Sequence, residues 1–455
     1  MSGESTFFTI LIIFFVLLVA GLLIGQLIHK QPTDIKDSSN ESVEPFLTNF
    51  DSAVGMQERG NFYYVWTQNG RVWRVSKTTG ERVLVLDKYD AIQKVYGGVY
   101  NFGSDERGLL GVAFNPVESK NQVFVGYSAQ KTDLNDSLTN HIARLAKFTI
   151  QDKDGPNERF VQESVVLDIP QQESYHHAQS MEFGQDGLLY YSVGDGGPQG
   201  DPNGHAQDLQ DLRGKMLRID VNNTSGSAPY SIPSTNPFAD GKQGRPEIIA
   251  LGLRNPWRFS MENDNRIFIA DVGNNSQESI KILTLPQNQN EKLQPVNFGW
   301  AVYEGDEKSG NKKDGVLQTL SIEPWTPPAF TYKTGGELGR ATVGGYLLPK
   351  KNAKDKERYL FGDFVSGKLI TIENQNDGKA WKLISAVSPN DWFRAASLQE
   401  TASTIPAQQT LSTDFINGAK NISSLARDNK GNLYVIVWSQ KAPENERSSI
   451  YRLFI

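Results

Sequence analysis

The stretch YHHAQSMEFGQDGLLYYSVGDGGPQGDP, residues 175–202, concentrates side chains that can do chemistry. It begins with two of the chain's five histidines, His176 and His177, and ends in a loop rich in glycine and aspartate. A neutral imidazole can exchange a proton near pH 7. Adjacent residues of an extended chain point to opposite sides, so the pair is not expected to ligate one metal together. The stretch is either part of a reaction centre or the rim of a β-structure.

Four stretches place polar side chains beside short apolar runs. They are ERGLLGVAF (106–114), GDGGPQGDP (194–202), LGLRNPWRF (251–259) and DVGNNSQES (271–279). In each, charged or amide residues come directly before or after a run that is typical of a β-strand. The stretches are far apart in sequence, so the fold must bring them together if they form one site.

Short β-type runs recur in groups of three from about residue 44 to the C-terminus. The middle runs are YYVW (63–66), VFVGY (123–127), LYYSV (189–193), IFIADV (267–272), YLFGDF (359–364) and LYVIVW (433–438). Six similar antiparallel units predict an all-β, six-bladed β-propeller over residues 44–455, with a strand from residues 45–50 completing the last blade. A pair of β-sandwiches is the alternative. Propeller loops converge on one face of the central channel, where the polar stretches would meet.

The order of these motifs resembles that of the glucose/sorbosone dehydrogenase family. ERGLLGVAF, His176 with FGQDGLLYYSVGDGG, GKMLRIDV (214–221), LGLRNPW, ADVG and NFGW (297–300) follow one another as they do in that family. The resemblance covers most of the chain after residue 60. It implies a six-bladed propeller, as in the soluble quinoprotein aldose dehydrogenases and the propeller domain of hedgehog-interacting proteins.

The resemblance also implies a site for sugar oxidation. It assigns to His176 the role of the base that takes the proton from a sugar C1 hydroxyl while hydride passes to pyrroloquinoline quinone. It places Arg254, Asn255 and Glu106 at this cofactor. An arginine fork suits a planar, carboxylated molecule because it can form paired hydrogen bonds and can stack.

A calcium ion that polarises the quinone belongs to the same implied site. The resemblance places it at Gly273, Asn274 and Glu278, in a loop rich in the oxygen ligands that Ca²⁺ prefers. Asp195 and Asp201 form a second candidate for an ion. The alternative for both aspartates is that they form turns and bind their own backbone.

Several positions differ from the family's pattern. The quinone enzymes use a lysine in the fifth blade and an arginine pair in the sixth, where this chain has Val365, Asn421 and Ser423. Other departures are Ala178, Gln179 and Ser279. An anionic tricarboxylate would lack several cationic partners, unless Lys368, or Arg340 and Arg358, replace them from nearby loops. A non-catalytic propeller that binds a carbohydrate or a protein is therefore the alternative to the oxidoreductase, and a calcium-dependent lactonase-type hydrolase is a third hypothesis.

The N-terminus predicts a membrane anchor in residues 1–30, followed by a polar linker in residues 31–43. Residues 7–28 read FFTILIIFFVLLVAGLLIGQLI, an uncharged run long enough to cross a hydrocarbon core of about 30 Å. A cleaved signal peptide is the alternative, although no basic residue precedes the run. Lys30 and Lys36 alone would place the propeller in the cytosol. The family resemblance instead favours the extracytoplasmic side of a single-pass membrane protein.

Composition narrows the classes of partner and chemistry. The formal net charge is -6, and no basic stripe predicts nucleic-acid binding. The chain has no cysteine, which excludes disulfides, thiolate metal sites and cysteine nucleophiles. A small-molecule sugar or a glycan remains the expected partner.

Overall fold

The structure is a computed structural model that describes residues 42–97, 105–131, 139–224, 226–375, 381–389, 391, 420–439 and 441–455. Within these residues, six antiparallel sheets form the blades of a β-propeller. The prediction of an all-β, six-bladed propeller is therefore confirmed. In the described residues no helix is both long enough and apolar enough to cross a bilayer. The predicted anchor at residues 7–28 lies outside this part of the chain.

The blades follow the order of the chain, and within each blade the strands run from the innermost outward. Blade one comprises β2 (Ala53–Arg59), β3 (Phe62–Thr67), β4 (Arg71–Ser76) and β5 (Arg82–Asp87). Blade two comprises β6 (Leu109–Phe114), β7 (Gln122–Gln130), β8 (His141–Gln151) and β9 (Arg159–Gln171). Blade three comprises β10 (Met181–Phe183), β11 (Leu189–Val193), β12 (Lys215–Ile219) and β13 (Ile248–Leu251).

Blade four comprises β14 (Pro256–Met261), β15 (Arg266–Asp271), β16 (Gln277–Thr284) and β22 (Phe330–Lys333). Blade five comprises β23 (Thr342–Leu347), β24 (Arg358–Asp363), β25 (Leu369–Asn374) and β26 (Trp381–Val387). Between β16 and β22, the chain adds β17 (Val296–Asn297) in parallel to β13, and then two small hairpins, β18 (Tyr303–Glu304) with β19 (Glu307–Lys308) and β20 (Lys312–Lys313) with β21 (Val316–Leu317). A helix, α1 (Tyr89–Tyr96), follows blade one, and single 3-10 turns lie at Glu118–Lys120 and Glu444–Glu446.

Blade six joins the two ends of the described chain. From inside to outside it comprises β27 (Lys420–Arg427), β28 (Leu433–Ser439), β29 (Ser448–Phe454) and β1 (Ser42–Phe50). β1 pairs antiparallel with β29 from Ser42 opposite Phe454 to Phe50 opposite Ser448. This pairing confirms that residues 45–50 complete the last blade. The strand begins earlier than expected, at Ser42, inside the stretch assigned to the linker.

Apolar side chains fill the space between neighbouring blades. The middle strands β11 and β28 are buried at every position, because each blade packs a neighbour on both faces. Val125 and Tyr64 belong to the cluster between blades one and two, and Tyr434 and Met56 to the cluster that connects blade six to blade one. β-Branched and aromatic residues suit such two-sided burial. The ring of blades forms a rigid frame for the loops at its two ends.

Candidate functional site

The six inner strands all begin at the same end of the central channel, which we call the upper face. Glu106 comes just before β6, His176 before β10, and Arg254 before β14, so three blades present these residues at one end. The loops 194–214 and 272–276 follow middle strands, which run antiparallel to the inner strands, and they lie at the same end. The fold therefore brings together all four polar stretches and His176, as the propeller prediction requires.

His176 and Asp195 form a buried imidazole–carboxylate pair at this face. The Nδ1 atom of His176 lies 2.6 Å from Oδ1 of Asp195, and the two side chains are 3% and 0% exposed. The same Oδ1 accepts the backbone N–H of Gly197 at 2.8 Å. The second oxygen, Oδ2, accepts the indole N–H of Trp300 at 2.8 Å. Asp195 is thus held on both oxygens, and it orients the imidazole.

Charge and burial together set the pKa of Asp195. Burial alone would raise the pKa of Asp195, but the charge and the hydrogen bond of His176, together with the charge of Arg254, outweigh burial and lower that pKa. An ionised Asp195 accepts the hydrogen on Nδ1, so neutral His176 carries its lone pair on Nε2. Among the described residues no hydrogen bond reaches Nε2. The arrangement can accept a proton or a hydrogen bond from a ligand hydroxyl.

The backbone around His176 turns sharply. His176 has φ +62°, in the left-handed region that few residues other than glycine adopt, at a cost on the order of 1 kcal/mol. The end of β11 lies close against this turn, since a Cβ on Gly194 would be 2.1 Å from the carbonyl oxygen of His176. The turn sends the two rings in different directions: His176 contacts Asp195, and His177 contacts His141.

Glu106 and Asn255 lock the segment that carries the two histidines. The Oε2 atom of Glu106 accepts the backbone N–H of His177 and the Nδ2 of Asn255, both at 3.0 Å. The Oδ1 atom of Asn255 accepts the backbone N–H of Ala178 at 3.2 Å. Both residues therefore position His176 through backbone contacts. Glu106 is partly exposed, and no described hydrogen bond occupies its Oε1.

Arg254 lies next to the pair and is already bonded to neutral groups. Its Nη2 donates to Oε1 of Gln199 at 2.8 Å and to Oδ1 of Asn274 at 3.4 Å, and its Nη1 donates to the carbonyl of Val272 at 3.1 Å. The guanidinium lies 5.6 Å from the centre of a Trp300 ring. Its buried Nε has no partner among the described groups. Arg254 braces the loop that was predicted to bind calcium.

That loop presents backbone donors, which suit an anion rather than a cation. The Oε1 atom of Glu304 accepts the N–H groups of residues 274, 275 and 276 at 2.7 Å each, and that of residue 277 at 3.2 Å. Glu278 is buried, and its oxygens accept bonds from Gly273, Thr334 and Thr342. Successive N–H groups that converge in this way form an anion nest. The N–H groups of this loop and the carboxylate of Glu278 are therefore bonded within the protein, and a calcium ion at Gly273, Asn274 and Glu278 stays a prediction.

The Asp195–Asp201 loop is organised by an internal ammonium group. Lys215 is fully buried, and its Nζ donates to the carbonyls of His205 at 2.7 Å, Ala206 at 3.1 Å and Arg213 at 2.7 Å. The carboxylate of Asp201 accepts the N–H groups of His205 and Ala206 at 2.8 and 2.9 Å. Both aspartates are satisfied by protein donors. Within the described ranges no group of three or more metal-ligating side chains is present.

The positions that depart from the family's cationic pattern contribute no charge to the upper face. Val365 is exposed, Asn421 donates from Nδ2 to the carbonyl of Phe364 at 2.9 Å, and the hydroxyl of Ser423 donates to the carbonyl of Ala53 at 2.9 Å. The side chains of Asn421 and Ser423 connect neighbouring blades to one another. With Arg254 bonded to neutral acceptors, neither it nor these three positions offers a tricarboxylate quinone a free cation.

The channel also contains a cavity of about 540 Å³ away from the upper face. Residues of all six inner strands line it, among them Glu182, Arg258 and Arg427, together with Glu262 just after β14. Arg427 forms an ion pair with Glu262 at 2.8 Å. His176, Arg254 and Asn255 do not line this cavity. It is therefore separate from the candidate site.

Sequence reasoning missed three residues that build the site. Trp300 lies in the NFGW motif, but nothing in the motif indicates its bond to Asp195. Lys215 did carry a signal, because a lysine begins the short strand KMLRI, in which three of the five residues are apolar. Nothing in the sequence indicated a role for Glu304, since its partners are backbone N–H groups of a loop distant in sequence.

Comparison with known proteins agrees with this architecture. A family model described as Glucose / Sorbosone dehydrogenase matches residues 62–386. The HIPL1 protein of Arabidopsis thaliana is 39% identical over 281 residues, covering 57% of this chain and 37% of that protein. The human Hedgehog-interacting protein is 26% identical over 349 residues, covering 70% of this chain and 48% of that protein. The chain thus spans less than half the length of these curated relatives.

Solved structures share the fold at low identity. The PQQ-bound aldose sugar dehydrogenase of Streptomyces coelicolor aligns over 91% of this chain and 98% of its own, with a TM-score of 0.57 and 18% identity. A Thermus thermophilus oxidoreductase described as a glucose dehydrogenase aligns over 91% of this chain and 100% of its own, with a TM-score of 0.60 and 17% identity. The family model covers most of the propeller, and the chain belongs to the glucose/sorbosone dehydrogenase family.

Proposed function

We propose that the chain is a carbohydrate-binding propeller, with the ligand held at the upper face against His176. The observation that carries this proposal is the His176–Asp195 pair, in which a buried carboxylate holds Nδ1, and no described residue forms a hydrogen bond with Nε2. A sugar hydroxyl can donate its hydrogen to that nitrogen. The ligand class is an aldose or a glycan that ends in one.

The surroundings of His176 suit a polyhydroxylated ligand. Glu106 is partly exposed and can accept a second hydroxyl through Oε1. Tyr175 is also partly exposed, and its ring centre lies 4.9 Å from that of His176, which provides an aromatic face. Binding sites for small polar ligands combine such faces with a few oriented polar groups. The strained backbone of His176 also supports a functional role, since such strain concentrates at active and binding sites.

The chain's residues disfavour quinone-dependent turnover. Pyrroloquinoline quinone would supply a hydride acceptor, but its carboxylates need cations, and positions 365, 421 and 423 provide none. Arg254 already donates to three neutral acceptors. Asp195 and Glu106 would add negative charge near an anionic molecule. The proposal is therefore binding of a sugar without bound quinone.

Oxidation of a sugar C1 hydroxyl is the second candidate, and the His176–Asp195 pair is the observation that favours it. A carboxylate-oriented imidazole can take a hydroxyl proton, and such general-base catalysis typically contributes about 10²–10⁴-fold. The lactonase-type hydrolase has less support, because the carboxylates that would hold its calcium are bonded to protein donors.

We further propose that residues 7–28 anchor the chain to a membrane, with the propeller on the extracytoplasmic side.

One experiment separates the two leading candidates. The untagged chain is titrated with a panel of aldoses in a calorimeter, and the same sugars are then tested for dye reduction after incubation with the quinone and Ca²⁺. Carbohydrate binding predicts saturable heat without quinone and no dye reduction. Dye reduction that depends on the quinone would instead establish the oxidoreductase. A chain that shows neither response would contradict both.

A further inference from the structure

One arginine side chain crosses the central channel at the cavity of about 540 Å³. Arg258 belongs to β14 of blade four, and its Nη2 donates to the carbonyl oxygen of Val54 in blade one at 2.6 Å. Blades four and one lie opposite each other in a ring of six. The Nε of Arg258 donates to the hydroxyl oxygen of Ser424 in blade six at 3.4 Å, and its Nη1 donates to the carbonyl of Trp257 at 3.2 Å. The guanidinium thus spans the channel and lines the cavity.

Arg258 differs from the other arginines of the cavity, because among the described residues no carboxylate forms an ion pair with it. The other three arginines of the lining are paired: Arg59 with Glu118, Arg218 with Asp186, and Arg427 with Glu262. Burial lowers the pKa of Arg258 to about 10, so the group is still a cation at neutral pH. Arg254 of the upper face also has neutral acceptors, but the charge of Asp195 lies close to it. Inside proteins, a charged side chain is ordinarily paired with an opposite charge.

Two groups of the lining have hydrogen-bonding capacity left for a ligand. A guanidinium has five N–H donors, of which Arg258 uses three on neutral oxygens, so that two remain. The hydroxyl of Tyr346, on the inner strand of blade five, forms no hydrogen bond with any described residue. Both side chains are partly exposed, and both line the cavity. A ligand in the cavity can therefore reach a cation and a hydroxyl group.

The acidic side chains of the cavity limit the charge that a ligand can carry. Of the seven in the lining, five are bonded to protein donors, namely Glu58, Glu118, Asp186, Glu262 and Asp428. Glu182 accepts the backbone N–H of Met261 at 2.9 Å, and burial raises its pKa to about 7, so it is largely uncharged at pH 6. The seventh, Glu291, is exposed. Arg258 can balance one negative charge on a ligand, whereas the carboxylates would repel a second.

We propose that this cavity binds a small hydroxycarboxylate with a single negative charge, with its carboxylate against Arg258 and a hydroxyl against Tyr346. The volume of about 540 Å³ lies within the range of small-molecule sites. Hydrogen bonds between a guanidinium and a carboxylate are charge-assisted, and they are stronger than the bonds that Arg258 forms with neutral oxygens. This site goes beyond the proposed sugar site at His176 and does not depend on it, because the two lie in separate parts of the channel.

The test titrates gluconate into the untagged full chain at pH 6 in a calorimeter, first alone and then with glucose in excess. We expect one gluconate per chain, with the same affinity in both titrations, because glucose has hydroxyls but no charge for Arg258. Sulfate, which carries two charges, should not displace gluconate. Displacement of gluconate by glucose would place it at the upper face and would contradict the proposal. Failure of glucose to bind would instead count only against the sugar site.

Variants of the lining identify the residues that hold the ligand. Arg258→Gln should weaken gluconate binding by about 10–100-fold, as expected for the loss of a charged donor. Tyr346→Phe should weaken it by about 2–10-fold, the usual effect of losing one neutral hydrogen bond. Arg59→Gln is the matched control, because it removes an arginine of the same cavity whose partner is Glu118. This variant should bind gluconate like the wild type.

The pH dependence of the wild type gives a readout that does not require Arg258→Gln to fold. The ionisable groups beside Glu182 are the Arg427–Glu262 ion pair and the hydroxyl of Tyr346. Ionisation of Glu182 should weaken gluconate binding by about 3–10-fold between pH 6 and pH 8.5, as expected for one like charge in the same cavity. Glu182→Gln should remove this dependence. The proposal is overturned if the wild type binds no gluconate, or if a folded Arg258→Gln variant binds it with unchanged affinity.

Discussion

His176 Nδ1 lies 2.6 Å from Asp195 Oδ1, and this contact joins the segment before the inner strand of blade three to the loop after its middle strand. The contact is buried, and further donors from Gly197 and Trp300 surround the carboxylate. The two carboxylate oxygens of Asp195 thus accept three hydrogen bonds, from His176, Gly197 and Trp300. The position of the imidazole therefore depends on this one carboxylate.

Asp195→Asn should destabilise the propeller by about 2–4 kcal/mol. Both oxygens of Asp195 accept N–H groups, so either orientation of an asparagine amide would place its NH₂ against a donor. The free energy of unfolding from urea titrations measures the loss. Asp208→Asn, at an exposed position in the same loop, is the control and should change stability by less than about 0.5 kcal/mol. Equal stability of the two variants would show that the charge of Asp195 is not needed.

Asp201 should make stability fall as the pH rises towards neutrality. Burial, followed by the charge of Asp195, raises the pKa of Asp201 to about 7 from an ordinary value of 3.8. The folded state therefore binds more protons between these two values, so the contribution of Asp201 is fully present below about pH 4 and is lost as the pH rises through 7. Asp201→Asn should reduce the difference in unfolding free energy between pH 4.5 and pH 8 by on the order of 1–3 kcal/mol. An unchanged pH profile in this variant would refute the assignment.

Lys215→Met should loosen the loop that carries Asp195 and Asp201. Methionine fills a similar volume, but it leaves the carbonyls of His205 and Arg213 without their buried donor. We expect a loss of about 2–4 kcal/mol. Faster amide exchange in residues 194–214 should accompany the loss. Lys313→Met, which changes an exposed lysine of the same face, should show neither effect.

Removal of β1 should open blade six. A variant that starts at residue 52 lacks the buried side chains of Val43, Leu47 and Phe50 and exposes the edge of β29. A loss of about 5 kcal/mol or more is expected, since each large apolar side chain contributes about 1.5–3 kcal/mol when buried. The control variant starts at residue 42 and keeps the strand. Similar urea midpoints for the two variants would mean that β1 does not hold the ring closed.

The fold could be predicted from the sequence because each propeller blade is formed by strands that are close in sequence. Each middle strand is an apolar run such as LYYSV, and turn pairs such as Asp186–Gly187 mark the first hairpin of a blade, where Gly187 has φ +73°. The pairing of β1 with β29 was predictable as well, since the last blade otherwise ended one strand short. Such patterns depend on residues that are near in sequence.

The candidate site could be predicted from the sequence only in part, because its chemistry depends on contacts between residues that are distant in sequence. The motifs brought His176, Arg254 and Asn255 to one face, and the structure agrees with that placement. No local pattern showed that Glu304 fills the loop of Asn274, or that an ammonium occupies the Asp195–Asp201 loop. Sequence could name the oxygen atoms near a possible calcium ion, but it could not show that protein donors already bind them.

The most direct test of the proposed sugar site compares aldose binding by the wild type, His176→Asn and Glu182→Gln in a calorimeter without quinone. Glu182 lines the separate cavity of the channel and is the control. We expect saturable binding to the wild type and to Glu182→Gln, with affinity reduced about tenfold or more in His176→Asn, as expected for one lost hydrogen bond to the ligand. Equal affinity in all three proteins, or no binding to the wild type, would contradict a sugar site at His176.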